Sequence, residues 1–221
     1  GEVIKDGTNW DLNVTGTTAS SAVTITTNSA GNGRVTLNDI HVVGPVGTFL
    51  AATTDLTGTL AIDGPVNIPG ALPGTVTLRS VQGGTVAVPS VEALTILGPT
   101  TNAKFYIGAM LGQDGQPGGT GATADMYGQG KIGLFTVTGA MTNTTVRVGV
   151  DPVVTSQQEA GQAADLGGQA IDTVDVGQSL ATTNTFAARR RIPGLRDHAA
   201  VVGGLGRVRL VARGVGPAVD L

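Results

Sequence analysis

Two histidines and a scatter of single carboxylates are all that acid–base chemistry could draw on in this 221-residue chain. Asp39 precedes His41 by two positions in VTLNDIHVV, which puts both side chains on one face of a strand. A serine nucleophile could use such a pair, but the sequence has no Gly-x-Ser-x-Gly elbow, so an exposed strand pair is the expectation. His198 stands far away in an arginine-rich tail. Without cysteine, and without HExxH or any His/Cys cluster, zinc and iron chemistry has no ligands to use. Asp114 and Asp125, in the glycine-rich stretch LGQDGQPGGTGATADMYGQGK, are calcium candidates, because calcium takes carboxylate and carbonyl oxygens. They are eleven residues apart and form no loop motif, so no resident cofactor is expected beyond that calcium. The same stretch has neither a Walker lysine nor a strand-to-helix GxGxxG context for phosphate.

Glycoside hydrolysis would need two carboxylates facing one another across a cleft. Asp172 and Asp175 are separated by an odd number and so lie on opposite faces of any shared strand, while Asp39, Asp55 and Asp63 are scattered singly. Aromatic platforms for sugar are few: Trp10, Tyr106 and Tyr127. The chain is therefore read as non-catalytic, with a polysaccharide-degrading enzyme as the third-ranked alternative.

Charge is distributed unevenly. Residues 186 to 221 carry seven Arg and two Asp, a balance of +5, against six basic and fourteen acidic residues, a balance of −8, in the remainder. A nucleic-acid surface would interleave such a basic patch with stacking aromatics, and only Phe186 is present, so no nucleic-acid partner is expected. A solvated end of a capped monomer, or a head-to-tail contact between copies, explains the asymmetry better; in the second case Arg189, Arg190, Arg191, Arg207, Arg209 and Arg213 stand at the junction.

The elements that must carry these residues announce themselves by repetition. LTILGPTTNAKFYIGAM, from Leu94 to Met110, matches FTVTGAMTNTTVRVGVD, from Phe135 to Asp151, at a spacing of 41 residues. Thr95 aligns with Thr136, Gly98 with Gly139, Thr101 with Thr142, Asn102 with Asn143 and Gly108 with Gly149, and the apolar positions align in type. A constant spacing of this kind marks a structural period. Gly-Thr-apolar-x-apolar recurs, as at Gly58–Ile62, Gly74–Leu78 and Gly84–Val88, with unequal gaps that suit different strands of a coil. Thr182, Thr183, Asn184 and Phe186 repeat the order of TTNAKF once more. Thr-x-Thr pairs such as Thr24 with Thr26 and Thr75 with Thr77 raise ice binding, but that needs a flat Thr array repeating at each rung, and the spacing here is too irregular, so ice binding is not expected.

Composition agrees with strands. Gly is abundant at 35 residues, aromatics are 3% and charged residues 13%, while Val and Thr, which favour pleated surfaces, recur throughout. Asn-Gly and Asp-Gly hairpin turns between alternating segments are scarce, which disfavours an antiparallel sandwich. The fold class expected is all-β: a right-handed parallel β-helix, or β-solenoid, with two projecting loop inserts at 111–131 and 151–170. Residues 1–30 would form an N-terminal strand segment or cap, and 31–221 the solenoid. Its narrow interior should favour Val, Ile, Leu and Ala over stacked large aromatics. No run of apolar residues is long enough for a transmembrane helix. The chain begins with Gly and shows no signal-peptide pattern, which reads as a processed or excised mature segment.

KIGLFTVTGAMTNTTVRVGVDP, preceded by LGQDGQPGGTGATADMYGQG and followed by TTNTFAARRRIPG, resembles repeats of large secreted β-solenoid surface proteins of planctomycetes and verrucomicrobia. In those repeats a Gly-x-Ile-Gly-x-Val-x-Val-x-Gly segment corresponds here to Gly130–Gly139, the GVDP step to Gly149–Pro152, and the closing Thr-x-Phe-x-Ala to Thr185–Ala188. The resemblance spans about residues 90 to 215. It implies a secreted, cell-surface location and a structural or adhesive role. Where that family often has an acidic, calcium-suited loop, this chain reads VVTSQQEAGQAAD, with fewer carboxylates. Two roles are thus expected: a structural element of a surface fibre or layer, assembling head to tail with its own copies, or an adhesin gripping surface glycan or protein through its inserts.

Overall fold

The computed structural model describes residues 1–6, 9–27, 31–64, 74–128 and 130–148, together with the strands Ala170–Val176, Thr185–Arg190, Ala200–Gly204 and Val211–Ala212. The second insert lies outside these residues. The chain is all-β; the described residues include no α-helix, only one 3-10 turn at Gly121–Thr123. No helix is long and apolar enough to cross a membrane among the described residues.

Two large sheets are built in parallel. Sheet 1 runs Glu2–Asp6, Asn9–Thr15, Ile40–Val43, Thr59–Ile62, Thr85–Val88, Lys104–Ile107, Thr145–Val148, Thr185–Arg190 and Ala200–Gly204. In sheet 2, Ala22–Thr24 and Val35–Leu37 both pair with Thr48–Leu56. Thr75–Gln82 follows, then Val91–Ile96 with Thr100–Thr101, Lys131–Val137 with Met141–Thr142, Ala170–Val176 and Val211–Ala212. From Asn9 to Val148 the chain passes back and forth between the sheets, and within each sheet strands of successive passages pair in parallel. Parallel neighbours cannot be joined by two-residue hairpins, which is why such turns are scarce in the sequence. The arrangement is all-β with parallel sheets and is compatible with a β-solenoid.

Register confirms the 41-residue period. Leu94 pairs with Phe135, Thr95 with Thr136, Thr101 with Thr142, Phe105 with Val146 and Ile107 with Val148. The Gly-Thr motifs divide as their gaps implied. Those at Gly58 and Gly84 lead into strands that pair with each other in sheet 1, and the one at Gly74 leads into sheet 2. Within the first 30 residues, Asn9–Thr15 pairs in parallel with Ile40–Val43, and Glu2–Asp6 pairs with Asn9–Thr15 antiparallel at the edge.

The core fills the space between the sheets with alternate side chains. Sheet 1 contributes Ile40, Val42, Leu60, Val86 and Phe105, and sheet 2 contributes Phe49, Val76, Leu94, Ile96 and Phe135, all buried. Each such side chain taken out of water stabilises by about 1.5–3 kcal/mol. Contrary to the expectation for a narrow interior, three phenylalanines are fully buried. They fit because they do not stack in register. Val76 and Leu94 separate Phe49 from Phe135, and Phe105 has valines on both sides. Phe105 and Phe135 meet edge to face across the core, centroids 5.2 Å apart, the orientation that aromatic quadrupoles favour.

The first insert does not project. Ala109–Met110 pairs antiparallel with Met126–Tyr127, and the segment between folds back over the outer side of sheet 1. Leu111 is buried there in a second small cluster with Ala61, Ala87, Tyr106 and Ala109. Gln116 Nε2 donates to Thr59 Oγ1 at 3.4 Å. Ala61 and Ala87 point away from the main core, and their small size leaves room for Leu111. One aliphatic anchor and two alanines suffice to seat a loop whose composition reads as solvated.

Candidate functional site

The polar residues of the described chain stand mostly at its corners and on the outer sides of its sheets. At the entry to sheet 1, Asp11 Oδ1 accepts from the Asp39 amide at 3.0 Å, and Asp39 Oδ1 accepts from the Thr59 amide at 2.6 Å. Each carboxylate thus holds the backbone of the turn stacked on it. Asn38 Nδ2 closes the group by donating to Asp39 Oδ2 at 2.9 Å. Gly58 is required here, since a Cβ would collide with the Asn38 carbonyl and the Asp39 carboxylate. Both oxygens of Asp39 are engaged in structural bonds.

His41 finds a different partner from the one its sequence neighbour offered. Its side chain lies on the same side of the strand as Asp39, but Nε2 bonds Asp63 Oδ2 at 3.0 Å, 22 residues away. The Asp63 hydrogen bond holds the imidazole above its ordinary histidine value; partial burial opposes this and the carboxylate charge adds to it. On sheet 2, Asp55 binds both Arg79 and Ser80 from the next strand, another link between adjacent turns.

A second corner follows the 41-residue period. Asn102 and Asn143 adopt left-handed backbone with φ of 52° and 47°, and Asn143 Nδ2 donates to Asn102 Oδ1 at 2.6 Å. Gly83, one step earlier in the same stack, has φ of 74°. Left-handed corners favour Gly and Asn, so the chain turns with the residues best suited to it. Below this corner Thr144 Oγ1 donates to Thr100 Oγ1 at 3.1 Å between the sheets, satisfying two buried hydroxyls.

No known family, curated protein or solved structure matches the chain. Asp114 Oδ1 accepts from the Gln116 amide at 3.2 Å, and Asp125 Oδ2 from the Gly118 amide at 2.7 Å. Both carboxylates brace turns of the folded-back insert. No group of three or more His, Cys, Asp or Glu that could hold a metal exists among the described residues. Arg189 and Arg190 end the strand Thr185–Arg190 in sheet 1; Arg191, Arg207, Arg209 and Arg213 lie outside the described residues, as do His198 and Asn184. The inter-turn bonds were invisible to the sequence except at Asn102 and Asn143, where the repeat itself pointed to them.

Proposed function

We propose that the chain is a non-catalytic structural protein of the cell surface, a right-handed parallel β-helix that builds an extracellular fibre or layer. The observation that carries this reading is the parallel pairing of strand upon strand in sheets 1 and 2, with side chains from Asp11, Asp39, Asp55 and Asn143 bonding neighbouring turns. Carboxylates that hold backbone amides serve rigidity. Right-handedness follows from the strong preference for right-handed crossovers between parallel strands.

A coil of this kind has two open ends, and unpaired strand edges must be blunted or mated. The first two strands, EVIKD and NWDLNVT, carry Glu2, Asp6 and Asp11 against one lysine, Lys5. The C-terminal stretch carries Arg189, Arg190, Arg191, Arg207, Arg209 and Arg213. Opposite charge in the two ends of the sequence supports head-to-tail stacking of copies. Negative-stain electron microscopy tests it. At low salt, filaments with an axial repeat of one chain are expected. They should fall apart at roughly 0.5 M salt, where the Debye length drops to a few ångströms, or when Arg189, Arg190 and Arg191 are changed to Gln. Short discrete rods at both salt concentrations would overturn the assembly.

The second reading is an adhesin that holds glycan or protein through its inserts, and the exposed Met126 in the returning strand of the first insert favours it. Removing that insert would then abolish binding to cells.

A further inference from the structure

The outer side of sheet 2 gathers threonines that the sequence scatters. Register places Thr24, Leu50, Thr77, Thr95 and Thr136 in one column, each beside the next. A second column, two residues along each strand, holds Ala22, Thr48, Thr75, Ala93 and Leu134. The irregular sequence spacing of these residues comes from unequal lengths between strands and disappears on stacking. None of the ten positions is buried, and every turn contributes at least one threonine. Asp175 stands beside Thr136 at the next position and ends the neutral column.

Three properties distinguish this face. Its ten positions carry no charge; exposed Glu92 beside Ala93 and the internally satisfied pair Asp55 with Arg79 flank them. Its threonine hydroxyls are unengaged: Thr57, Thr138 and Thr144 elsewhere bond to the protein, whereas Thr24, Thr48, Thr75, Thr77, Thr95 and Thr136 have no such bond among the described residues. Its spacing is periodic in two directions, about 4.8 Å between strands and about 6.6 Å between alternate residues.

We infer that this face binds ice. Threonine is stiff at χ1, so neighbouring side chains on paired parallel strands present hydroxyl and methyl in a repeating orientation. Each hydroxyl offers one donor and two acceptor sites, and the methyl beside it confines the waters between columns without binding them. The spacing between strands is close to a repeat of the ice lattice, so water held along each column is brought toward the order of ice. A neutral face suits a neutral lattice, whereas an ionic partner would leave it without complementary charge. The inference is independent of assembly, because it concerns the side of the coil and not its ends.

The test is growth of a single ice crystal in a solution of the full chain, together with partition of the protein into slowly growing ice. Faceted crystals, a gap between melting and freezing points, and enrichment in the ice fraction are expected. Thr95→Lys, at the centre of the neutral face, should abolish all three, while Gln82→Lys, at an exposed corner, should leave them unchanged. Circular dichroism of both variants establishes that the β-structure persists. Round crystals and exclusion of the wild-type chain from ice would overturn the inference. So would equal loss in both variants, or retention on crystalline cellulose or chitin with no effect on ice.

Discussion

His41 and Asp63 join adjacent strands of sheet 1 through a single hydrogen bond, and its strength can be read from the imidazole. The folded-state value is raised, so the stability contributed by the pair is fully present below the unfolded histidine value of about 6.5 and is lost as pH rises through the folded one. An NMR titration of wild type should show the raised value, and Asp63→Asn should bring it down. Urea midpoints of wild type should fall slightly across that window, whereas those of the variant stay level. An unchanged His41 titration in Asp63→Asn would rule the bond out. Asn143 supplies a second test, because its left-handed backbone makes substitution depend on backbone shape. Asn143→Gly gives up the bond to Asn102, costing about 1 kcal/mol. Asn143→Val gives up the same bond and forces a β-branched residue into the left-handed region, a further cost of about 1–2 kcal/mol. Denaturant unfolding should rank them in that order.

At the scale of elements, the first insert is held by Leu111 against Ala61, Ala87 and Tyr106. Leu111→Ala should cost about 2–4 kcal/mol if the loop cannot collapse onto the alanines, and protease should cut the 111–131 stretch faster before it cuts the strands. Unchanged cleavage would mean that the antiparallel pair Ala109–Met110 with Met126–Tyr127 seats the insert alone. This packing was illegible in the sequence because a lone leucine in a glycine-rich stretch has no periodicity, and nothing in TLAI or TVAV shows that the alanine is an outer seat. The 41-residue turn was legible for the opposite reason. Stacked strands there are separated by a constant number of residues, so Gly98 over Gly139 and Asn102 over Asn143 appear as sequence identities. Elsewhere stacked partners such as Ile40 with Leu60 and Leu60 with Val86 are separated by varying lengths. The same variation hid the threonine columns and the reach of His41 to Asp63.

For the whole molecule, a stack of turns that each touch only their neighbours gains stability from its interfaces, as repeat proteins do. A turn with neighbours on both sides has two such interfaces and an end turn has one. The first turn shows the difference in its side chains: Val3 and Trp10 are exposed, and Leu12, Val14 and Val23 are only partly buried, whereas Val86, Leu94, Phe105 and Phe135 are fully buried. Native-state hydrogen exchange should therefore be graded. Amides of Asn9–Thr15 and Ala22–Thr24 should open by local fraying, and those of Thr85–Val88, Val91–Ile96 and Lys104–Ile107 only with the whole chain. Phe135→Ala separates this gradient from uniform two-state unfolding. It removes the edge-to-face contact with Phe105 and should cost about 3–5 kcal/mol. In a nearest-neighbour stack, protection then falls first in Val91–Ile96, Lys104–Ile107 and Lys131–Val137, while Thr59–Ile62 keeps most of its own. An equal fall in every strand would show instead that the two sheets and their shared core behave as one cooperative unit.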